Sequence, residues 1–169
     1  MKSSKNVILI GMPGSGKSTV GVVLAKVLGY RFLDSDLIIQ EQEGKLLCEI
    51  MEEKGIEGFM EVENRVNASI ECERCVVATG GSAVYGKEAM EHLKTIGKMV
   101  YLKSDFETIK SRLGDLHTRG VVLREGQTLL DLYNERVPLY EKYADMIVYC
   151  HGKQIREIVH EIASVVRKK

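Results

Sequence analysis

Residues 7–21, VILIGMPGSGKSTVG, decide the fold class of this chain. An apolar run leads into a glycine-rich loop of the pattern GxxxxGK[ST], and a sequence with helical periodicity follows. Bare glycine backbone lets successive N–H groups close around phosphate oxygens, and the dipole of the helix N-terminus adds to their attraction. Because a strand precedes the loop and a helix follows it, the segment predicts a nucleotide-phosphate site rather than a simple glycine turn.

The loop gives each of its polar groups a separate task. Lys17 is placed to neutralise the β- and γ-phosphates of ATP, and the hydroxyl of Ser18 is placed to ligate Mg²⁺. Thr19 is expected to pack beside Ser18 or to cap the helix. The backbone that cradles the phosphates is contributed by Gly11, Gly14, Ser15 and Gly16.

Short apolar runs recur along the chain and alternate with longer helical patterns. Each run is continuous, which is typical of strands that are buried on both faces of a parallel sheet. The runs occupy residues 7–10, 31–34, 75–79, 98–102 and 146–149. We therefore predict a single α/β domain over residues 1–169, with a five-stranded parallel sheet flanked by helices.

Charge and hydropathy narrow the class of partner. The 24 basic residues equal the 24 acidic residues in number. The chain therefore lacks the basic excess that is typical of nucleic-acid-binding proteins. The first apolar run is too short for a signal sequence, and no later run is long enough to span a bilayer. We expect a cytoplasmic, monomeric protein whose partner is a small molecule.

The four cysteines suggest a metal site only weakly. Cys72 and Cys75 form a CxxC pair, and Cys150 precedes a histidine. A zinc site requires two well-spaced pairs, whereas Cys75 leads into one apolar run and Cys150 ends another. Free thiols are the favoured interpretation.

In a parallel α/β sheet, ligands bind beyond the carboxyl ends of the strands. Asp34 and Asp36 follow the second strand, and we assign Asp34 to Mg²⁺ and Asp36 to an acceptor hydroxyl. The alternative for either aspartate is an N-cap of a helix that begins near Leu37. Asp105 follows the fourth strand but precedes a helical pattern, so we interpret it as an N-cap and not as a metal ligand.

Three further segments are candidates for the site. Gly80 and Gly81 would let the backbone approach a ligand closely, although a simple turn is the competing interpretation. The polar segment 114–126 contains three glycines and is expected to form a mobile lid, from which Arg119 stabilises the transferring phosphoryl group. Arg136 lies near the last strand, where a plain surface charge is the alternative.

Together these residues resemble the shikimate kinases. That family of small P-loop kinases has a magnesium-binding DxD after the second strand, a GGG segment after the third, an arginine-bearing lid and an ERxPLYxxxAD signature. The resemblance covers nearly the whole chain and implies an ATP- and Mg²⁺-dependent kinase of aromatic amino acid biosynthesis. It also implies an acceptor-binding helical segment at about residues 37–73.

The resemblance implies a role for individual residues. Asp36 would hydrogen-bond the acceptor hydroxyls and is a candidate base. Arg112 would lie near adenine, Arg119 on the lid, and Arg136 at the acceptor carboxylate. The wall of the acceptor pocket would include Gly80 and Gly81.

Three departures from the family pattern fall on the acceptor or lid side. Met60 stands where the family has arginine, Ser82 replaces the third glycine of GGG, and residues 120–122 differ in the lid. Losing one charge-assisted hydrogen bond costs about 1.5–3 kcal/mol. Two acceptors fit these departures. One is shikimate, with its carboxylate held by one arginine where the family uses two. The other is a different polyol or sugar acid, held by a wall that includes Met60 and Ser82. A nucleotide-binding regulator with weakened catalysis is the alternative from a different class.

Overall fold

A parallel sheet forms the centre of the protein, as the apolar runs predict. The computed structural model describes residues 5–114 and 121–168. Within these ranges the strands are β1 (Asn6–Ile10), β2 (Arg31–Asp34), β3 (Cys75–Ala78), β4 (Gly97–Lys103) and β5 (Met146–Tyr149). They are arranged in the order β2-β3-β1-β4-β5, and every neighbouring pair is parallel. The predicted strands are confirmed to within one residue at each end.

Helices cover both faces of the sheet. They are α1 (Lys17–Leu28), α2 (Ser35–Glu43), α3 (Leu47–Ala68), α4 (Lys87–Ile96), α5 (Phe106–Leu113), α6 (Leu129–Tyr143) and α7 (Ile155–Arg167), with a 3₁₀ turn at Gly81–Tyr85. None of these helices is long and apolar enough to cross a membrane.

The central strand β1 divides the core into two apolar layers. Leu9 points to the side where α1 and α7 pack, and Ile8 points to the side covered by α4, α5 and α6. Both side chains are fully buried. Because side chains alternate along a strand, this one buried strand joins both layers and holds the loop that follows it at the carboxyl edge of the sheet.

The segment between β2 and β3 differs from the prediction in two ways. The first helix begins at Ser35 rather than near Leu37, because the carboxylate of Asp34 accepts a hydrogen bond from the backbone N–H of Asp36 at 2.9 Å and caps it. The second helix, α3, is kinked at Gly55, whose φ of 71° and ψ of 178° are not helical. The segment is therefore two helices, one of them bent.

Part of the predicted lid, including Arg119 and Gly120, lies outside the described residues. At its start, Gly114 has a φ of 40°, and near its end Gly126 has a φ of 75°. Both values fall in the left-handed region that favours glycine. In the described part of this segment, Val122 is buried against an apolar cluster of α2 and α3.

Candidate active site

A cavity of about 730 Å³ lies at the carboxyl edge of the sheet. Its wall combines the loop after β1, the first turns of α1 and α2, the middle of α3, the 3₁₀ turn, and parts of α5, α6 and α7. The phosphate-binding loop and the acceptor candidates after β2 and β3 therefore face one continuous space. This is the place where a parallel sheet of this kind binds its ligands.

At one end of the cavity the loop folds around Lys17. The ammonium Nζ donates to the carbonyl oxygens of Gly11 at 2.7 Å and Met12 at 2.8 Å, and the side chain is buried. Burial lowers the pKa of Lys17 to about 8, while the carboxylate of Asp36 opposes this shift. A buried cation within a glycine-rich loop at a helix N-terminus is suited to an anionic ligand such as a polyphosphate.

The glycines of the loop are required by space and by conformation. A Cβ at Gly11 would lie 2.7 Å from the carbonyl oxygen of Leu102, and one at Gly14 would lie 3.3 Å from Leu113. Gly16 has a φ of 93° and occupies the N-cap of α1. Thr19 consequently does not cap this helix; it is exposed in the first turn, beside the cavity.

Ser18 and Asp34 come together at the mouth of the loop. The hydroxyl of Ser18 donates to Asp34 Oδ2 at 3.2 Å. Mg²⁺ is commonly held by one or two protein oxygens, with water and substrate phosphates completing its shell. This hydroxyl–carboxylate pair next to a phosphate-binding loop fits such an ion, although Asp34 also caps α2.

Asp36 lines the cavity beyond this pair. Burial of its carboxyl group raises the pKa to about 6, the neighbouring Asp34 adds to the rise, and Lys17 opposes it. Gly80 lies close to this carboxylate, because a Cβ there would lie 2.7 Å from Asp36 Oδ1. The same Cβ would lie 2.8 Å from Glu63 Oε2. Two carboxyl groups thus converge on this glycine.

Glu63 is a site residue that sequence reasoning did not identify. It is 3% exposed and lies on the cavity wall. Its Oε1 accepts a hydrogen bond from the hydroxyl of Ser82 at 2.6 Å, whereas Oε2 has no hydrogen-bond partner in the described part of the chain. Burial raises its pKa to about 7, and the Ser82 hydrogen bond counteracts this rise. The available signal was an acidic residue on the buried face of α3, between Phe59 and Val66.

Arg136 is not a surface charge, since only 1% of it is exposed. Its Nη2 donates to the carbonyl oxygen of Val122 at 3.3 Å and its Nε to Tyr85 Oη at 3.4 Å. Within residues 5–114 and 121–168, no carboxylate lies within 4.0 Å of the guanidinium to form an ion pair. Gly81 adjoins it, because a Cβ there would lie 3.0 Å from Arg136 Nη1. The cavity wall therefore includes a buried cation.

Two other residues predicted for the site, Arg112 and Met60, lie in different parts of the structure. Arg112 lies at the nucleotide end, where Nη1 donates to the carbonyl oxygen of Gly14 at 3.0 Å. Met60 packs against the apolar cluster that contains Phe59 and Val122, and the described residues of the cavity wall do not include it. The expectation that Met60 forms part of the acceptor wall therefore differs from its observed packing. The four cysteines are free thiols.

Comparison with known proteins agrees with this geometry. Residues 13–167 match the family model for shikimate kinase. Shikimate kinases of Francisella tularensis subsp. novicida and Persephonella marina are 38% and 34% identical over 97% and 96% of this chain, and over 96% and 99% of their own length. The solved structure of shikimate kinase from Acinetobacter baumannii in complex with shikimate has a TM-score of 0.87 and 33% identity, covering 97% of this chain and 95% of that one. The chain thus belongs to the shikimate kinase family and is an ATP-dependent small-molecule kinase.

Proposed function

We propose that this protein transfers the γ-phosphoryl group of ATP to a hydroxyl of shikimate in a Mg²⁺-dependent reaction. Arg136 carries the proposal, because it is a buried guanidinium on the cavity wall with no carboxylate partner among the described residues. A buried charge is costly unless it is paired, so this position favours an anionic acceptor. Shikimate has a carboxylate, and the relative from Acinetobacter baumannii binds it.

The donor half of the reaction belongs to the loop. Lys17 would exchange its two backbone carbonyls for the β- and γ-phosphate oxygens, and Arg112 would lie against the base. Ser18 and Asp34 would hold Mg²⁺, which neutralises charge on the phosphates when it is bound. Phosphoryl transfer requires mainly positioning and charge neutralisation from the protein, and these residues supply both.

The acceptor half belongs to the carboxyl groups that meet at Gly80. Asp36 would accept a hydrogen bond from the attacking hydroxyl and orient it toward the phosphate loop, and a pKa of about 6 allows it to take up the proton as the new bond forms. Glu63 would accept from a second hydroxyl. Arg119, on the predicted lid, would stabilise the transferring phosphoryl group. We also propose, from the sequence, that the protein is a monomer and is located in the cytoplasm.

The test is an assay of purified protein with ATP, Mg²⁺ and shikimate, in which ADP is measured and the phosphorylated product is identified by mass. Replacing Arg136 with methionine removes one charge-assisted hydrogen-bonding group, so the Michaelis constant for shikimate should rise at least roughly tenfold. The Michaelis constant for ATP should change little. Arg156→Met makes the same change at an exposed position of α7 and serves as the matched control.

A sugar acid or another polyol acid is the second candidate acceptor. The observation that favours it is the bond between Ser82 and Glu63, which places a buried carboxylate where the departures from the family pattern occur. The same assay with sugar acids and polyols distinguishes the two acceptors. Binding of ATP without turnover of any acceptor would contradict both and favour the nucleotide-binding regulator.

A further inference from the structure

A buried hydrogen bond joins Ser82 to Glu63 at the acceptor end of the cavity. The hydroxyl that donates the hydrogen bond belongs to the 3₁₀ turn after β3, and the carboxylate that accepts it belongs to α3. The bond therefore connects two separate elements. Its length is 2.6 Å, and the residues are 6% and 3% exposed. A short, buried hydrogen bond to one carboxylate oxygen restricts the rotation of the carboxyl group. The direction of the second oxygen follows from it.

That second oxygen, Glu63 Oε2, is buried and is left without a hydrogen-bond donor among the described residues. It lies 2.8 Å from the position that a Cβ of Gly80 would occupy, on the wall of the cavity, and Asp36 Oδ1 lies 2.7 Å from the same position. A buried carboxylate oxygen without a hydrogen-bond donor costs free energy. We therefore expect the substrate to supply this donor when it binds.

Ser82 is the residue that contacts the Glu63 carboxylate directly, whereas the surrounding charged groups act on it without forming an ion pair among the described residues. Asp36 on α2 repels it, while Lys17 on α1 and Arg136 on α6 attract it from a distance. Neither cation forms an ion pair with Glu63 among the described residues. One helical turn before Glu63, Met60 offers no charge.

We propose that Ser82 is a positioning residue of the acceptor site, whose hydroxyl holds Glu63 so that its free oxygen receives a hydroxyl of the substrate beside Asp36. This inference rests on the proposed function and extends it to an acceptor that presents two hydroxyl groups to two carboxyl groups. Ser82 acts through Glu63 and does not itself touch the substrate.

The first test compares Ser82→Ala with the unaltered protein. Removing a hydrogen bond to a charged group should raise the acceptor Michaelis constant roughly tenfold at neutral pH, with the ATP Michaelis constant unchanged. Without the hydroxyl the pKa of Glu63 rises, so the pH at which acceptor kcat/KM increases should move upward. Ser82→Gly removes the same hydroxyl without leaving a methyl group and should behave alike. Ser104→Ala, at a buried serine after β4 that is outside the cavity wall, should change neither quantity.

A double-variant cycle with Glu63→Gln separates positioning from packing. If Ser82 acts through Glu63, Ser82→Ala should add little to the acceptor Michaelis constant of Glu63→Gln, and the shift in the pH profile should disappear. Additive effects would overturn the proposal, as would an unshifted profile in Ser82→Ala. ADP affinity and the melting temperature of each variant establish that it is folded. Failure of the unaltered protein to phosphorylate any acceptor would contradict the proposed function instead.

Discussion

Asp34 and Asp36 are two residues apart and have different surroundings. The carboxylate of Asp34 is tied to the Ser18 hydroxyl and to a backbone N–H, whereas Asp36 faces the cavity and has a raised pKa. A residue that holds a metal must stay ionised, and a residue that receives a proton must be able to change state. The two side chains are therefore suited to the separate tasks that the sequence predicts.

The first prediction concerns the choice of metal ligand at the residue scale. Asp34→Asn should raise the Mg²⁺ concentration needed for half-maximal activity, because the amide has no charge to offer the ion. Asp105 occupies the N-cap position of α5 and accepts a hydrogen bond from the hydroxyl of Thr108, so Asp105→Asn should affect only this end of the helix and leave the Mg²⁺ dependence unchanged. Mg²⁺ titrations of activity measure this, and the reverse pattern would show that Asp105 is the ligand.

A second prediction at this scale uses the pKa of Glu63, which is raised from 4.5 to about 7 by burial. The folded protein keeps the proton after the unfolded chain has lost it, so stability falls as pH rises between these values and then levels off. Glu63→Gln removes this loss. Without ligands, the variant should be more stable at pH 8 by up to about 3 kcal/mol and show no such gain at pH 4. Denaturant unfolding at both pH values measures it, and an equal difference at both would contradict the assigned pKa.

At the scale of elements, the sequence predicts the sheet better than it predicts the helices around the acceptor. Continuous apolar runs locate β1, β3 and β4 because almost all residues of those strands are buried, whereas the edge strands β2 and β5 are only partly buried. Glycine alone does not signal the kink at Gly55, because an isolated glycine also occurs in straight helices. The sequence predicts the start of α2 two residues late, because Asp34 and Asp36 both have the chemistry of a cap and only the backbone geometry distinguishes them.

The third prediction concerns the kink in α3. In a straight helix Gly55→Ala would stabilise the protein by about 1 kcal/mol. Here the glycine has a φ of 71° and a ψ of 178°, a conformation that alanine adopts only with strain, so we expect the substitution to destabilise the protein by about 1–3 kcal/mol. Apart from its chain neighbours and the backbone of its own helix, no atom of the described residues lies within 4 Å of the added Cβ, so steric overlap would not explain the loss. Thermal unfolding gives the sign, and a stabilised variant would mean that α3 is straight in solution.

For the whole molecule, the cavity brings together residues that are far apart in the chain. The sequence identifies Lys17, Asp36 and Arg136 one by one, since each follows a strand or belongs to a motif. It does not reveal the partnership of Ser82 with Glu63, because that contact depends on how α3 packs against the 3₁₀ turn. Likewise, the contact of the partly buried Met60 with an apolar cluster is a property of packing that no spacing pattern encodes.

The fourth prediction uses the assembled cavity. Because Arg136, Asp36 and Glu63 already face one space, shikimate should bind without nucleotide. At a hundred times its dissociation constant it should add about 2.7 kcal/mol of stability, which raises the melting temperature by roughly 5–10 °C. Arg136→Met should lose most of this shift. A shift only in the presence of ADP would mean that nucleotide must first build the acceptor site, and a dependence on protein concentration would contradict a monomer.

The position of Lys17 has a consequence for the end of the catalytic cycle. When ADP departs, the ammonium is not stranded, because the carbonyl oxygens of Gly11 and Met12 receive it at 2.7 and 2.8 Å. An empty enzyme that satisfies its own buried cation does not have to retain product to avoid an unpaired charge. If Lys17 binds the phosphates as proposed, the carbonyls of Gly11 and Met12 would receive its ammonium again when ADP leaves and so lower the energetic penalty of product release.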